Sequence, residues 1–567
     1  MKKTFKRALA LAACMCMPMG MCVTASAASD AAFAHDWQYV EDESGSYWML
    51  DAVYVKNPVE DIQHLVIYAP EAYMIRTDDG VAVNRDGAVA SSTGVTYTAL
   101  NAPIMYHNSS GGYAASAIQS VNMDYLNEGY VHVTVATRGK ESRNAAGEYI
   151  GQFPAILVDL KAGVRFLKAF DGELPGNANA IISRGYSSGG ALSAMLGVSG
   201  NSPVFDGYLA QIGAYDAGDD IFMALASGPI TNLSTVDASY EWYQGENVDY
   251  FLFNAMAKDR EGNAIEGFET GRNVYHVLGD NVLGGAHEDE LSRWLYDWSV
   301  DYIQGLGFDL GDDGRSGEYY EGLVKVYEDS LAAFTARYDQ VKGVLHSAPD
   351  TVNAYLESLT QQTSTGRAVA DPDWFTVDES GAVTMKSLDA IMINHAGRNK
   401  MAPSSDSYNY ASNENNVFVT ADGTPMHFSP VVKAGLAYLL EHPDPTWSKD
   451  DLTYLKLLNE DYANVSAGSA DAELLEIMSP INYVIGTYQG DKAPYIHWRI
   501  GSGDPDHGLP NAWLVHNALL KYNPEVKSDI AVSWGMGHGP AELTEQDMYD
   551  YVSAAMTESG RLNMAEN

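Results

Sequence analysis

"ISRGYSSGGALSA", residues 182–194, places two adjacent serines among glycines, where an apolar β-rich run gives way to small helix-compatible residues. Gly185-Tyr186-Ser187-Ser188-Gly189 is the only G-x-S-x-G in the chain. A strand that turns abruptly into a helix leaves the turn residue strained, with its side chain projecting. Flanking glycines remove the Cβ atoms that would clash there. The next N–H, that of Ser188, then faces an anion from the helix N-terminus. This pattern predicts Ser187 as a nucleophile and Ser188 as a backbone donor whose own side chain points elsewhere. The competing reading is a glycine-rich turn that only lets helix and sheet pack closely. A strand before the motif and a helix after it favour the nucleophile.

Outward from the elbow, strand-like and helix-like segments alternate. "HLVIYAP" (64–70), "YVHVTVATRG" (130–139) and "NAIISRGY" (179–186) are short apolar β-rich runs. "AILVDLKAGVRFLKAF" (155–170) carries apolar residues at helical spacing. The texture returns at the end with strands "YIHWRIGSG" (495–503) and "SDIAVSWG" (528–535), and helices "NAWLVHNALLKY" (511–522) and "TEQDMYDYVSAAM" (544–556). Alternation of this kind implies a mostly parallel sheet in an α/β fold. The middle is rich in Tyr, Trp, Asp and Asn, with helical patches such as 321–345. The expected organisation is a signal peptide at 1–27, a first core part at 28–218, an insertion at 219–474 and a second core part at 475–567. "DLGDDGRSGE" (309–318) has a calcium-loop look, but Gly311 sits at the third ligand position, which favours a solvated turn.

The chain has 567 residues, more than one core usually serves, and a formal charge of −41. Such acidity repels nucleic acid and anionic membrane and is accounted for by solubility. "MKKTFKRALALAACMCMPMGMCVTASA" reads as an export signal ending at Ala25-Ser26-Ala27, and its removal takes the charge to −45. A secreted protein is expected, with lipid attachment at Cys14 the alternative. All three cysteines fall inside the signal, so the mature chain has no thiol, disulfide or cysteine metal site. No metal or cofactor is called for, and no later segment is apolar enough to span a membrane.

A serine nucleophile needs a base, and the base an orienting acid, in the chain order Ser, acid, His for this kind of elbow. His538, between glycines in "SWGMGHGPAE" (533–542), stands just past the last strand, where the base belongs. "HWRIGSGDPDHG" (497–508) offers Asp506 as the acid, with Asp504 as runner-up. The apolar-His-polar-Gly-Gly stretch "PIMYHNSSGGYAA" (103–115) is similar to the oxyanion loop of esterases, which makes Gly111 and Gly112 candidates for the second donor.

These residues together resemble the bacterial tannases of subtype B, serine esterases of the α/β-hydrolase fold with a large lid. The similarity runs nearly end to end. It includes 154–168, the elbow with 189–201, "GPITNLSTVDASYEW" (228–242), "MSPINYVIG" (478–486), 497–503 and "WGMGHG" (534–539). The resemblance implies a lid that binds a galloyl ring through a Lys and a Glu fourteen residues on. Lys400 and Glu414 fall at that spacing. The family's third ring contact, an Asp two after the triad acid, departs: with Asp506 as the acid, position 508 is Gly. With Asp504 as the acid, Asp506 becomes the ring contact. Tyr186 and Ser188 are also bulkier than the family's usual elbow residues. The expected function is a secreted, cofactor-independent esterase that cleaves gallate-type or other phenolic esters through an acyl-enzyme. The alternatives are a feruloyl or acetyl esterase or a peptidase of the same fold, and a non-catalytic binding protein that keeps the fold. A small phenolic ester is the expected partner, with no nucleic acid and no membrane span.

Overall fold

In the computed structural model, residues 32–245, 290–363, 368–396, 413–418, 429–445, 470–503, 508–539 and 542–566 are described, with four short strands between 253 and 287 and isolated positions at 366, 447, 452, 456 and 459. The export signal, Lys400, Asp504 and Asp506 lie outside the described residues.

A nine-stranded sheet organises the molecule. Its strands are β1 (Gln38–Asp42), β2 (Gly45–Val53), β3 (His64–Pro70), β4 (Ile104–His107), β5 (Val131–Val135), β6 (Ile181–Tyr186), β7 (Met223–Ser227), β8 (Tyr495–Gly501) and β9 (Lys527–Ser533). Their spatial order is β1-β2-β3-β5-β4-β6-β7-β8-β9. From β5 to β9 every neighbouring pair is parallel, and β1, β2 and β3 join antiparallel. This is the α/β-hydrolase arrangement. The central strands are covered on both faces, so they read as continuous apolar runs: all five residues of β7, "MALAS", are buried. The register sets Tyr186 opposite Ser227, Ser227 opposite Arg499, and Gly501 opposite Ser533. Loops leaving the carboxyl ends of β4, β6, β8 and β9 therefore emerge along one edge, where α/β sheets place their sites.

Helix α1 (Ala155–Ala169) is buried nearly all round and carries two charges inward. Lys161 bonds Asp219 at 2.8 Å, and Arg138 bonds Asp159 at 2.7 Å, so each buried charge has a partner. That pairing corrects one boundary. The Asp-rich stretch near 219 reads as the start of a polar insertion, yet Asp219 is the counterion of the core helix. β7 follows it within the sheet, and the chain leaves the sheet only after Ser227.

Helix α2 (Ser188–Val198) follows β6 directly and is wholly buried. Beyond β7 come α3 (Val236–Gln244), α4 (Glu290–Gly305), α5 (Gly317–Ala336) and α6 (Pro430–Glu441). α3, α4 and α6 share a small apolar cluster of their own, built on Tyr240, Leu291, Leu295, Val432 and Leu436. α5 packs instead against β9, and its Tyr327 ring meets Trp534 edge-on at 6.5 Å. In 309–318 the aspartates bond the turn's own N–H groups: Asp309 accepts from Gly311 and Asp313 from Arg315. Helices α7 (Leu509–Tyr522) and α8 (Glu545–Glu558) complete the core. No helix among the described residues is long and apolar enough to cross a membrane.

Candidate active site

Ser187 sits between the last residue of β6 and the first of α2 with φ 58° and ψ −129°, a left-handed conformation that a serine adopts only under constraint. Its N–H is pinned to the Ser227 carbonyl at 2.9 Å. The glycines are demanded by close approach. A Cβ on Gly185 would fall 2.4 Å from the Gly189 carbonyl oxygen, and one on Gly189 would fall 2.6 Å from Asn108 Oδ1. Backbone packing thus holds the Ser187 side chain outward.

His538 reaches that side chain, its Nε2 standing 2.8 Å from Ser187 Oγ. The two residues lie 351 positions apart, and β9 with the turn after it brings them together. Trp534, fully buried in that turn, donates its indole N–H to Tyr355 Oη at 2.7 Å and stacks on His395 at 4.4 Å. Past His538, Glu542 accepts from His497 Nε2 at 2.7 Å, and His497 Nδ1 lies 2.9 Å from Asp529. Burial favours the neutral acid at Glu542, but the hydrogen bond and charge of His497, with the charge of Arg499, outweigh it and hold the carboxyl below its ordinary range.

The loop after β4 lies beside the elbow. Asn108 Nδ2 donates to the Gly189 carbonyl at 3.2 Å and to Ser193 Oγ at 2.8 Å. At the tip, Gly112 and Tyr113 have φ of 57° and 58°. The Gly111 N–H is taken by the Ser109 carbonyl at 2.7 Å. The Tyr113 N–H goes to Ser188 Oγ at 3.1 Å. The Ser188 N–H, first in α2, has no acceptor within its own helix. At the end of β4, burial first, then the charge of Arg184, lowers the pKa of His107 to about 4.

Two further groups border the nucleophile. Tyr186 is 43% exposed, and its ring stands 6.5 Å from that of His538. Residues Asn413–Asn416 form a helical turn over Gly112, with the Asn413 side chain 2.9 Å from where a Gly112 Cβ would sit. The Phe153 N–H donates to the Val417 carbonyl at 3.0 Å and ties this turn to the core. Glu414 lies close enough to add its charge to burial in holding the Tyr113 phenol well above its ordinary pKa. Glu414, far from the elbow in sequence, therefore lies near Tyr113. The roles of Asn108, Tyr113 and Trp534 were missed, since nothing in a lone Asn, Tyr or Trp signals a loop anchor.

Residues 106–263 match the family model described as BD-FAE. No curated protein matches the chain. Among solved structures, the tannin acyl hydrolase from Lactobacillus plantarum is similar at 24% identity and a TM-score of 0.66, covering 93% of this chain and 98% of its own. The tannase of Fusobacterium nucleatum is similar at 25% identity and a TM-score of 0.65, covering 92% and 97%. A tannin acyl hydrolase solved in complex with ethyl gallate is similar at 24% identity and a TM-score of 0.65, covering 92% and 98%. The chain has the α/β-hydrolase fold, and over at least 92% of its length it is similar to bacterial tannases.

Proposed function

We propose that this protein is a secreted serine esterase that hydrolyses gallate-type or other phenolic carboxylic esters through an acyl-enzyme. The observation that carries the reading is the 2.8 Å contact between His538 Nε2 and the strained, outward-held Ser187. In this reading Ser187 attacks the ester carbonyl while His538 takes its proton. The N–H groups of Ser188 and Gly112 receive the oxyanion. His538 then protonates the leaving alcohol, and water, activated by the same imidazole, releases the acid. Asp506, or Asp504 in its place, orients the imidazole. The chain between β7 and β8 serves as a lid, with Glu414 and Lys400 bonding ring hydroxyls; an ammonium and a carboxylate are each suited to a phenolic O–H. The position of Glu414 beside the oxyanion loop supports this ring-binding role. The phenolic substrate class rests on the similarity to tannases, one of them solved with ethyl gallate.

The test is a panel of methyl gallate, methyl ferulate and p-nitrophenyl acetate, run with a fluorophosphonate label. Labelling at Ser187 with preference for gallate is the expected result. Labelling with preference for ferulate would keep the mechanism and change the substrate. No labelling and no turnover would point to the non-catalytic alternative.

A further inference from the structure

The Ser188 hydroxyl has no part in the chemistry proposed above, yet it is 1% exposed and fully engaged. It donates to the Ser110 carbonyl and accepts the Tyr113 N–H at 3.1 Å. These partners bracket the Gly111-Gly112 tip of the loop after β4. Within the tip the Gly111 N–H goes to the Ser109 carbonyl, and the Tyr113 N–H also reaches the Ser110 carbonyl at 3.2 Å; these turn bonds shape the tip but do not tie it to α2. Asn108 fastens the loop's start to α2, and Lys140 Nζ donates to the Gly112 carbonyl at 2.8 Å from the outer side. The Ser188 hydroxyl joins the tip to the first turn of α2.

We propose that Ser188 is a positioning residue that latches the oxyanion loop, so that its own backbone N–H and the Gly112 N–H converge on one oxygen. The proposal rests on the reading of Ser187 as the nucleophile. The same residue then contributes a backbone donor to the oxyanion and a side chain that fixes the second donor. An alanine here keeps the first and loses the second. The loop stays attached through Asn108 and Lys140, so the protein folds while the tip is left loose.

The experiment compares wild type with Ser188→Ala on p-nitrophenyl acetate and on methyl gallate, and measures binding of phenylboronic acid. That acid adds to the nucleophilic serine as a tetrahedral adduct with an oxygen in the oxyanion position. Loss of one oxyanion donor costs about 100- to 1000-fold in kcat, and a loosened donor should cost less, about ten- to a hundredfold. The expected result is that loss in kcat on both esters, KM within about threefold, and boronic acid affinity reduced in parallel with kcat. An unchanged kcat overturns the proposal, as does a reduced kcat with unchanged boronic acid affinity. If Ser188→Ala does not fold, Ser188→Cys, which keeps the size and weakens both hydrogen bonds, is judged on the same comparison. Absence of fluorophosphonate labelling in the wild type would instead sink the serine-esterase reading beneath it.

Discussion

Ser187 and Ser188 are chemically identical neighbours that the backbone sends in opposite directions. One meets His538; the other is buried against the oxyanion loop. Ser187→Ala should therefore lower kcat by about a millionfold, the scale of nucleophile loss in a serine triad, and leave the unfolding transition in place. Single-turnover kinetics with p-nitrophenyl acetate would decide it, and a variant that retained its burst would refute the assignment. The acid is distinguished by comparing Asp504→Asn with Asp506→Asn. Loss of the orienting charge costs about 10⁴ in kcat on every ester. Loss of a ring contact costs about ten- to a hundredfold on gallates alone. The expected general collapse is at Asp506; a general collapse at Asp504 with a gallate-selective loss at Asp506 would restore the full set of tannase ring contacts. Glu414→Ala should likewise reduce methyl gallate turnover about ten- to a hundredfold and spare p-nitrophenyl acetate. Equal losses on the two esters would assign Glu414 to lid packing.

At the scale of elements, the junction between β6 and α2 is built on contacts too tight for a side chain. Gly189→Ala would push a methyl against Asn108, which itself holds the oxyanion loop. Overpacking of this kind costs about 1–3 kcal/mol, and urea unfolding should show it. Wild-type stability in that variant would mean that Asn108 moves aside freely, and the loop with it. The same junction was the most legible part of the sequence, because steric demand, glycine spacing and the strand-to-helix change all coincide within 182–194. "HLVIYAP" reads as a strand and is β3 residue for residue. Other elements left weaker marks. β1 and β2 form an edge hairpin in which Glu41, Asp42, Ser46 and Asp51 interrupt the apolar pattern. β7 hides behind aspartates that belong to a buried ion pair. Helix 321–345 reads as one element because its apolar spacing continues, but α5 ends at Ala336, with Arg337 out of helical conformation, and Arg337 pairs with Asp547 at 2.9 Å. Gly111 carries the motif of an oxyanion donor, and the bond of its N–H to the Ser109 carbonyl is invisible in sequence.

Across the whole molecule, the response to acid follows from buried histidines. Burial is the main cause that lowers His107, His395 and His516 to about 4 and His132 to about 3. An unfolded histidine titrates near 6.5, so below that pH the unfolded chain binds protons that the fold refuses. The sign is therefore a stability loss that begins as pH falls through about 6.5 and continues toward about 4, ahead of most carboxylates. Calorimetry from pH 7.5 to 4.5 should show the melting temperature falling already between pH 6.5 and 5. A flat profile down to pH 5 would show that these rings are reached by solvent. The 351 residues between nucleophile and base also have a consequence for biosynthesis. The elbow, with its glycines and helix, is made well before His538. Contacts of such long range close late in folding. In the proposed reading the serine therefore waits for its base while the residues between them are polymerised. Under the proposed function, esterolytic competence waits until β9 and the turn after it are made, and a ribosome that stalls before β9 releases a product that has the elbow and lacks the imidazole.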